Sequence, residues 1–229
     1  GQRYMEVPRG KITGGTSAIN GQVYLRPIPE DFDDWEIQGN YEWSFEKMLP
    51  VFIKQENDMD IIDRYHGRGG PIPVSRYKQH ELVDDQTAFI DAAVDAGFPI
   101  TLDHNHPAST GVGPLPMNNY NGIRWSTALS YLPMARERSN FTLIPQSQVT
   151  RLIVKNSTII GVNLIGPEGE RSIRAGEVIL SAGAIGTPQI LMLSGIGNPQ
   201  HLEKYGIKVI HRSVGVGENL SDHPMVHVK

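Results

Sequence analysis

The sequence predicts an α+β fold, on three observations. Apolar residues recur at helical spacing from Glu81 to Ala96. From Phe141 onward the apolar period drops to two. A buried-strand pattern, Glu177 to Gly183, then feeds a further helix.

Taken in order, the first 27 residues are glycine-rich. The run Arg9-Gly10-Lys11-Ile12-Thr13-Gly14-Gly15-Thr16-Ser17 describes a tight turn leading into a short helix, because glycine reaches positive φ and Ser/Thr cap helix starts. Pro29 to Lys54 reads as two helical pieces separated by Gly39-Asn40, with Ser44 as an N-cap. Its acidic run, Asp31 to Glu36, suits the positive end of a helix dipole. Asp58 to Tyr77 is a connecting loop with one short extended piece. The helix over Glu81 to Ala96 stops at Gly97. A second loop, Asp103 to Gly122, precedes a helix over Ser126 to Arg138.

The period-two runs Phe141–Ile144, Val149–Val154 and Ile159–Leu164, bounded by Lys155-Asn156-Ser157 and Gly166-Pro167-Glu168-Gly169, predict a β-meander. The buried strand Glu177–Gly183 leads into a helix over Thr187–Leu193, with Pro188 in its first turn. A helix over Pro199–Tyr205 and a strand over Ile207–His211 follow. The sequence closes in an apolar alternation at Val226–Lys229.

Composition narrows the function. The 229 residues carry 21 Lys+Arg against 25 Asp+Glu, a formal net charge of −4. That balance gives no electrostatic footprint for nucleic acid. The absence of cysteine excludes disulfides, thiolate metal centres and a catalytic thiol. It suits the cytosol and the exterior alike, with the cytoplasm slightly favoured. No stretch approaches the ~18–20 apolar residues of a membrane span.

Two stretches suit a bound ligand. At Gly14-Gly15-Thr16-Ser17, backbone amides and a helix start can face an anion, although a plain turn before a helix explains the same residues. In Ser181–Pro188, small residues let a cofactor or another chain segment lie against the backbone. His104-Asn105-His106 offers two imidazoles, but no third ligand is indicated by spacing, so no metal site is assigned.

The order of these stretches resembles the glucose/methanol/choline (GMC) family of flavin-dependent oxidoreductases. Gly10 to Tyr24, followed by Leu25-Arg26, is similar to the family's first signature, departing at Thr13 where an aliphatic is usual. Gly183 to Gly197 is similar to the second signature without a gap. Gly122–Ala128, Asn140–Leu152 and Val214–His223 agree with three lesser blocks, in family order. The resemblance implies part of a Rossmann-like, GMC-type FAD-binding domain together with part of a substrate domain. The expected division is residues 1–57 and 140–229 in the FAD-binding part and 58–139 as a helical and loop segment, partly substrate domain or lid.

By the same resemblance, Gly14, Gly15 and Thr16 lie near the FAD diphosphate. Asn20, Gly21 and Val23 run past the flavin, and Val149 presents backbone groups to the adenine. The implied reaction is oxidation of an alcohol by hydride transfer to flavin, with oxygen or another acceptor taking the electrons. The family's catalytic histidine is expected beyond Lys229, so none of the eight histidines here is taken as the base. Asp222-His223 is read as structural. The Gly-x-Gly-x-x-Gly turn that opens full-length relatives is not found upstream of Gly10, and the sequence reads as the middle portion of a longer enzyme. Two alternatives accompany that reading: a stand-alone binding module derived from the scaffold, and a lyase on the same flavin scaffold.

Overall fold

A computed structural model describes residue 4 and residues 6–223, so the alternation at 226–229 lies outside the described residues. The chain divides into two compact units, Gly1–Thr142 and Leu143–Lys229. Residues 1–57 and 58–139 both fall in the first.

In the first unit, α1 (Pro29–Ile37) starts with proline at its first position and with Glu30 and Asp31 in the first turn, where carboxylates meet the free amides. The Ile28 amide donates to Asp31 Oδ2 at 3.1 Å. Phe32 is buried and is met edge-on by Trp35 at 5.4 Å and by Phe52 at 5.8 Å. Phe52 belongs to α2 (Phe45–Gln55), so the small apolar core here is aromatic. Ser44 holds the N-cap position, but its hydroxyl makes no capping bond.

Directly after α2, β1 (Glu56–Asp58) pairs in parallel with β2 (Ile72–Val74). The connecting loop is pressed against the end of α2. A Cβ on Gly67 would sit 1.8 Å from the Ile53 carbonyl oxygen, which only glycine avoids. α3 (Asp84–Asp95) begins three residues later than its apolar pattern suggests. Asp84 and Asp85 supply the favourable first-turn charge, and the Val83 amide donates to Gln86 Oε1 at 3.2 Å.

The loop expected up to Gly122 contains half of a hairpin, β3 (Asn119–Tyr120) with β4 (Ile123–Arg124). Asn121 and Gly122 form its two-residue turn, both at positive φ. The helix expected over Ser126–Arg138 is two pieces, α4 (Thr127–Ser130) and α5 (Leu132–Arg136). Pro133 has no amide to give to the Leu129 carbonyl, so the helix breaks at Tyr131.

The second unit holds the meander, with order β5 (Gln148–Lys155), β6 (Thr158–Gly166), β7 (Gly169–Arg174), all antiparallel. The third strand is therefore Gly169–Arg174 and not Phe141–Ile144, which stays irregular. Asn156 and Ser157 both adopt positive φ, closing a tight turn that returns β6 directly along β5. Leu152 and Leu164 are buried, and α6 (Gly183–Leu193) lies against β5, where the Leu152 amide donates to Ser194 Oγ at 2.8 Å.

Two further expectations are corrected. Residues 177–183 form no strand, and Ile179 is 81% exposed. A parallel strand needs neighbours to take up its amides and carbonyls, and none lies beside it among the described residues. The helix that follows starts at Gly183, four residues early, so Pro188 is inside it rather than in its first turn. β8 (Ile196–Gly197) and β9 (His211–Arg212) form a parallel pair around α7 (Pro199–Lys204), whose Leu202 is fully buried. The strand expected over Ile207–His211 is reduced to that last pair.

The surface is unusually large. The chain exposes 16857 Å², whereas a folded monomer of 25.4 kDa exposes about 10,000 Å², and two separate globules of these sizes about 12,000 Å². Phe89, Phe98 and Leu102 in the first unit and Ile179 and Leu220 in the second are all more than half exposed. Apolar exposure on this scale marks surfaces that other protein covers. The isolated 229-residue chain is therefore expected to melt over a broad range in calorimetry and to bind a dye such as ANS strongly. A single sharp transition without dye binding would instead support a stand-alone module.

Candidate functional site

Residues 10–26 build the site. The Gly15 amide donates to the Ile12 carbonyl at 2.8 Å, and Gly14 and Gly15 both take positive φ, turning the chain into a single 3-10 turn over Gly15–Ala18. The loop closes on itself so tightly that a Cβ on Gly10 would lie 2.2 Å from the Gly15 oxygen. The Gly10 amide donates to Thr16 Oγ1 at 3.3 Å.

This turn is sewn to the start of α4. Ser17 Oγ donates to the Gly14 carbonyl at 2.5 Å and accepts from the Thr127 amide at 3.1 Å, while Thr127 Oγ1 donates to the Gly14 carbonyl at 3.2 Å. A Cβ on Gly14 would meet Ala128 Cβ at 3.2 Å, so Gly14 is committed to packing. Gly15 and Gly21 face open space, and Thr16, Asn20 and Val23 are exposed.

Beyond the turn, Arg124 Nη1 donates to Asn20 Oδ1 at 3.0 Å and also to the Asn20 carbonyl. After a positive φ at Gln22, the chain makes a single antiparallel bridge at Val23. The Tyr24 amide donates to the Pro116 carbonyl and the Asn118 amide to the Gln22 carbonyl, both at 2.8 Å, with Val23 opposite Met117. In such a non-hydrogen-bonded antiparallel pair the central residue turns its own amide and carbonyl to the other edge. Among the described residues nothing bonds to either group of Val23. The result is an open backbone edge two residues from Gly21, where an added Cβ would meet nothing within 4 Å.

The opposite side of this strand is held by a buried ionic cluster that sequence reasoning missed. Asn105 Nδ2 donates to the Tyr24 carbonyl at 2.9 Å, and Asn105 Oδ1 accepts from the Arg26 amide at 2.9 Å. The Arg26 guanidinium donates to the Tyr65 carbonyl at 2.8 Å and to Glu56 Oε1 at 2.5 Å. On β1 the alternation puts Glu56 and Asp58 on the same buried face. Between them lies the His66 ring, with Nδ1 3.2 Å from Glu56 Oε1 and 3.1 Å from Asp58 Oδ2, and Nε2 2.9 Å from Asp103 Oδ2. Arg76 closes the far side, 3.0 Å from both oxygens of Asp58 and 3.2 Å from Asp103 Oδ1.

Burial alone would lower the His66 pKa, but its hydrogen bond to Asp103 and the close Asp58 and Glu56 carboxylates, which Nδ1 approaches without a well-aligned bond, outweigh it and raise the ring from 6.5 to about 11. Burial likewise pushes Asp58 upward, and His66, the amides of Asp60 and Ile61 and Arg76 together hold it well below the usual carboxylate range. Tyr24, whose hydroxyl is buried without a partner, is pushed up by burial and by the nearby Glu56 charge. Glu56, Asp58 and His66 are close enough together to hold a metal, as are Asp63, His66 and Asp103. The two guanidiniums of Arg26 and Arg76 already offset two of the three less exposed carboxylates, Glu56, Asp58 and Asp103.

Val149, the remaining sequence-predicted residue, lies in the second unit on β5. It is half-buried opposite Leu164, next to a register shift between Val149 and Arg151. His104 accepts from or donates to no carboxylate; its Nε2 lies 3.1 Å from the Gly113 carbonyl, and His106 Nδ1 accepts from the Ala108 amide. These two rings serve their own loop, and the residue between them is the one that grips the signature strand.

The turn, its strand and the α4 start come from the two blocks of sequence that carry the first signature and Gly122–Ala128, and a family profile described as GMC oxidoreductase matches residues 1–225. The chain belongs to the GMC oxidoreductase family. It is 42% identical over 226 residues to an oxygen-dependent choline dehydrogenase of Vibrio vulnificus, covering 98% of this chain and 40% of the relative. It is 38% identical over 228 residues to the mitochondrial choline dehydrogenase of Homo sapiens, covering 99% of this chain and 38% of that protein. Among solved structures it matches pyridoxine 4-oxidase from Mesorbium loti at a TM-score of 0.84 and 32% identity, covering 89% of this chain and 40% of that one. The GMC chain thus spans about 40% of the length of the curated relatives it matches. No helix among the described residues is long and apolar enough to cross a membrane.

The two glycines of the site make opposite predictions. Gly10→Ala in the full-length GMC protein is expected to destabilise by about 1–3 kcal/mol, because the new Cβ must displace backbone. Gly21→Ala, which meets open space, should stay within about 0.5 kcal/mol. Thermal or denaturant unfolding of the two variants checks this.

Proposed function

We propose that the full-length protein is an FAD-dependent oxidoreductase that oxidises an alcohol, taking hydride from a CH–OH carbon and passing the electrons to oxygen or another acceptor. The observation that carries this reading is the open edge at Val23, flanked by Gly21 and backed by the Pro116–Asn118 strand. A flat heteroaromatic ring system needs such an edge: free backbone groups for its polar rim, and no side chains against its face.

The residues present fit FAD. Gly15 leaves open space at the turn and Thr16 is exposed beside it, which suits a diphosphate. Asn20 is fixed by Arg124, and Gly21 and Val23 follow it along the exposed edge. Val149, in the second unit, is the proposed contact for adenine through its backbone. Gly14 contributes by holding this turn to α4. When bound, FAD supplies the hydride acceptor. The chain's own residues bind and orient it, and the base that takes the substrate hydroxyl proton is proposed to lie outside these 229 residues.

The names of the relatives make choline the first alcohol to try. The pyridoxine and formate oxidases among the structural neighbours show why the class, rather than one compound, is proposed. These named activities belong to those proteins.

The test is the visible spectrum of the purified full-length protein, which should show the two absorption bands of oxidised flavin and lose them when choline or another alcohol is added without oxygen. A colourless protein that takes up no added FAD would overturn the proposal. Gly21→Val should keep the fold and reduce flavin content several-fold, since its new methyl groups enter the space assigned to the ring.

A further inference from the structure

We propose that His66 is an imidazolium at the centre of a charge-balanced buried clasp, and that this clasp positions the Asn20–Arg26 segment through Arg26 and Asn105. The positioning half rests on the functional reading above; the charge half does not.

Three carboxylates, Glu56, Asp58 and Asp103, meet two guanidiniums, Arg26 and Arg76, with side chains of the inner pair fully buried. One positive charge is lacking, and the His66 ring sits where it is needed, each nitrogen within 3.2 Å of a carboxylate oxygen. A neutral ring would bring one lone pair against carboxylate oxygens in a fully buried site. A divalent cation on a neutral ring would overshoot to a net charge of +1, whereas a proton gives zero.

All charged groups facing the ring are accounted for. Glu56 and Asp58 come from β1 and Asp103 from the loop after α3. Asp63, on the histidine's own loop, accepts the His66 amide at Oδ1 at 3.1 Å but is exposed, so its charge is answered by solvent and stands outside the buried count. Asp60 is answered at the rim by Lys78 at 2.5 Å and by Arg76 at 3.9 Å.

The clasp reaches the site by two routes. Glu56 fixes the Arg26 guanidinium, and Asp103, through Oδ1, accepts the Asn105 amide at 2.9 Å. Asn105 then holds the backbone on both sides of Leu25. Asn105 and His66 are thus positioning residues: neither stands at the open edge of Val23.

The experiment uses the full-length protein with His66→Gln, His66→Lys and Asn105→Ala. A group with a folded pKa raised from 6.5 to about 11 contributes fully below pH 6.5 and loses that contribution as pH rises toward 11. The melting-temperature gap between wild type and H66Q should therefore be widest near pH 6.5 and narrow by several degrees by about pH 10. H66K, which keeps the charge, should recover part of the gap. H66Q and N105A should each shift the flavin bands or the flavin midpoint potential, a readout that simple loss of stability would not move.

A gap that stays constant across this pH range, or failure of both His66 variants to fold, would overturn the imidazolium. So would a stoichiometric divalent metal in the purified protein, found by elemental analysis. Folded H66Q and N105A with unchanged flavin bands and potential would overturn the positioning role. A full-length protein without flavin would remove the proposed function and leave the melting test of the clasp standing.

Discussion

The ion pair between Arg26 and Glu56 is the contact on which the first unit turns. Taking a guanidinium and a carboxylate out of water costs several kcal/mol per ion, and their mutual attraction offsets this only with good geometry and further hydrogen bonds, although Arg26 Nε, Arg76 Nε, Glu56 Oε2 and His66 Nδ1 are buried without one. That requirement recruits the rest. Glu56 needs a second donor and finds the Gly67 amide at 2.8 Å, which draws the 59–71 loop onto α2. Asp58 needs cations and finds His66 and Arg76. Arg76 in turn needs Asp103, which anchors the loop carrying Asn105. A unit with few large buried apolar side chains is thereby organised by charge as much as by burial. Breaking any one pair strands a buried charge, so the segments are held in a single mutual arrangement.

The glycines have a complementary role. Where the cluster pulls loops together, Gly67 permits backbone-to-backbone contact that any Cβ would block. At the signature turn, Gly10 does the same. Gly15 and Gly21 differ, because their vacant side faces open space rather than another part of the chain. That contrast separates glycines that packing requires from glycines that packing does not require.

Local features were legible in the sequence and long-range ones were not. The turn at Gly14-Gly15, the helix over Asp84–Asp95 and the β5–β6 hairpin each rest on spacing or turn chemistry within about a dozen residues, and they are found where that spacing puts them. The ionic cluster joins Arg26, Glu56, Asp58, His66, Arg76 and Asp103 from segments up to 77 positions apart, with no period to betray it. Its only local trace is the Glu56-Asn57-Asp58 alternation, which reads as an ordinary polar stretch until burial is known. The 177–183 run shows the opposite failure. Its composition is that of a buried strand, but a strand forms only with neighbours, and the described residues supply none. The break at Tyr131 was visible in Pro133, and the longer apolar pattern concealed it.

The family membership and the open edge at Val23 meet in one proposal: the Asn20–Arg26 segment, gripped from behind, is the surface proposed to face FAD. Amide hydrogen exchange on the full-length protein, resolved to single residues and compared with and without FAD, tests that claim most directly. The account predicts that the Tyr24 and Arg26 amides, which already donate to Pro116 and Asn105, are protected in both states, and that the Gly21 and Val23 amides become protected only with FAD. Fast exchange at Arg26 without FAD, or no change at Gly21 and Val23 when FAD binds, would contradict it.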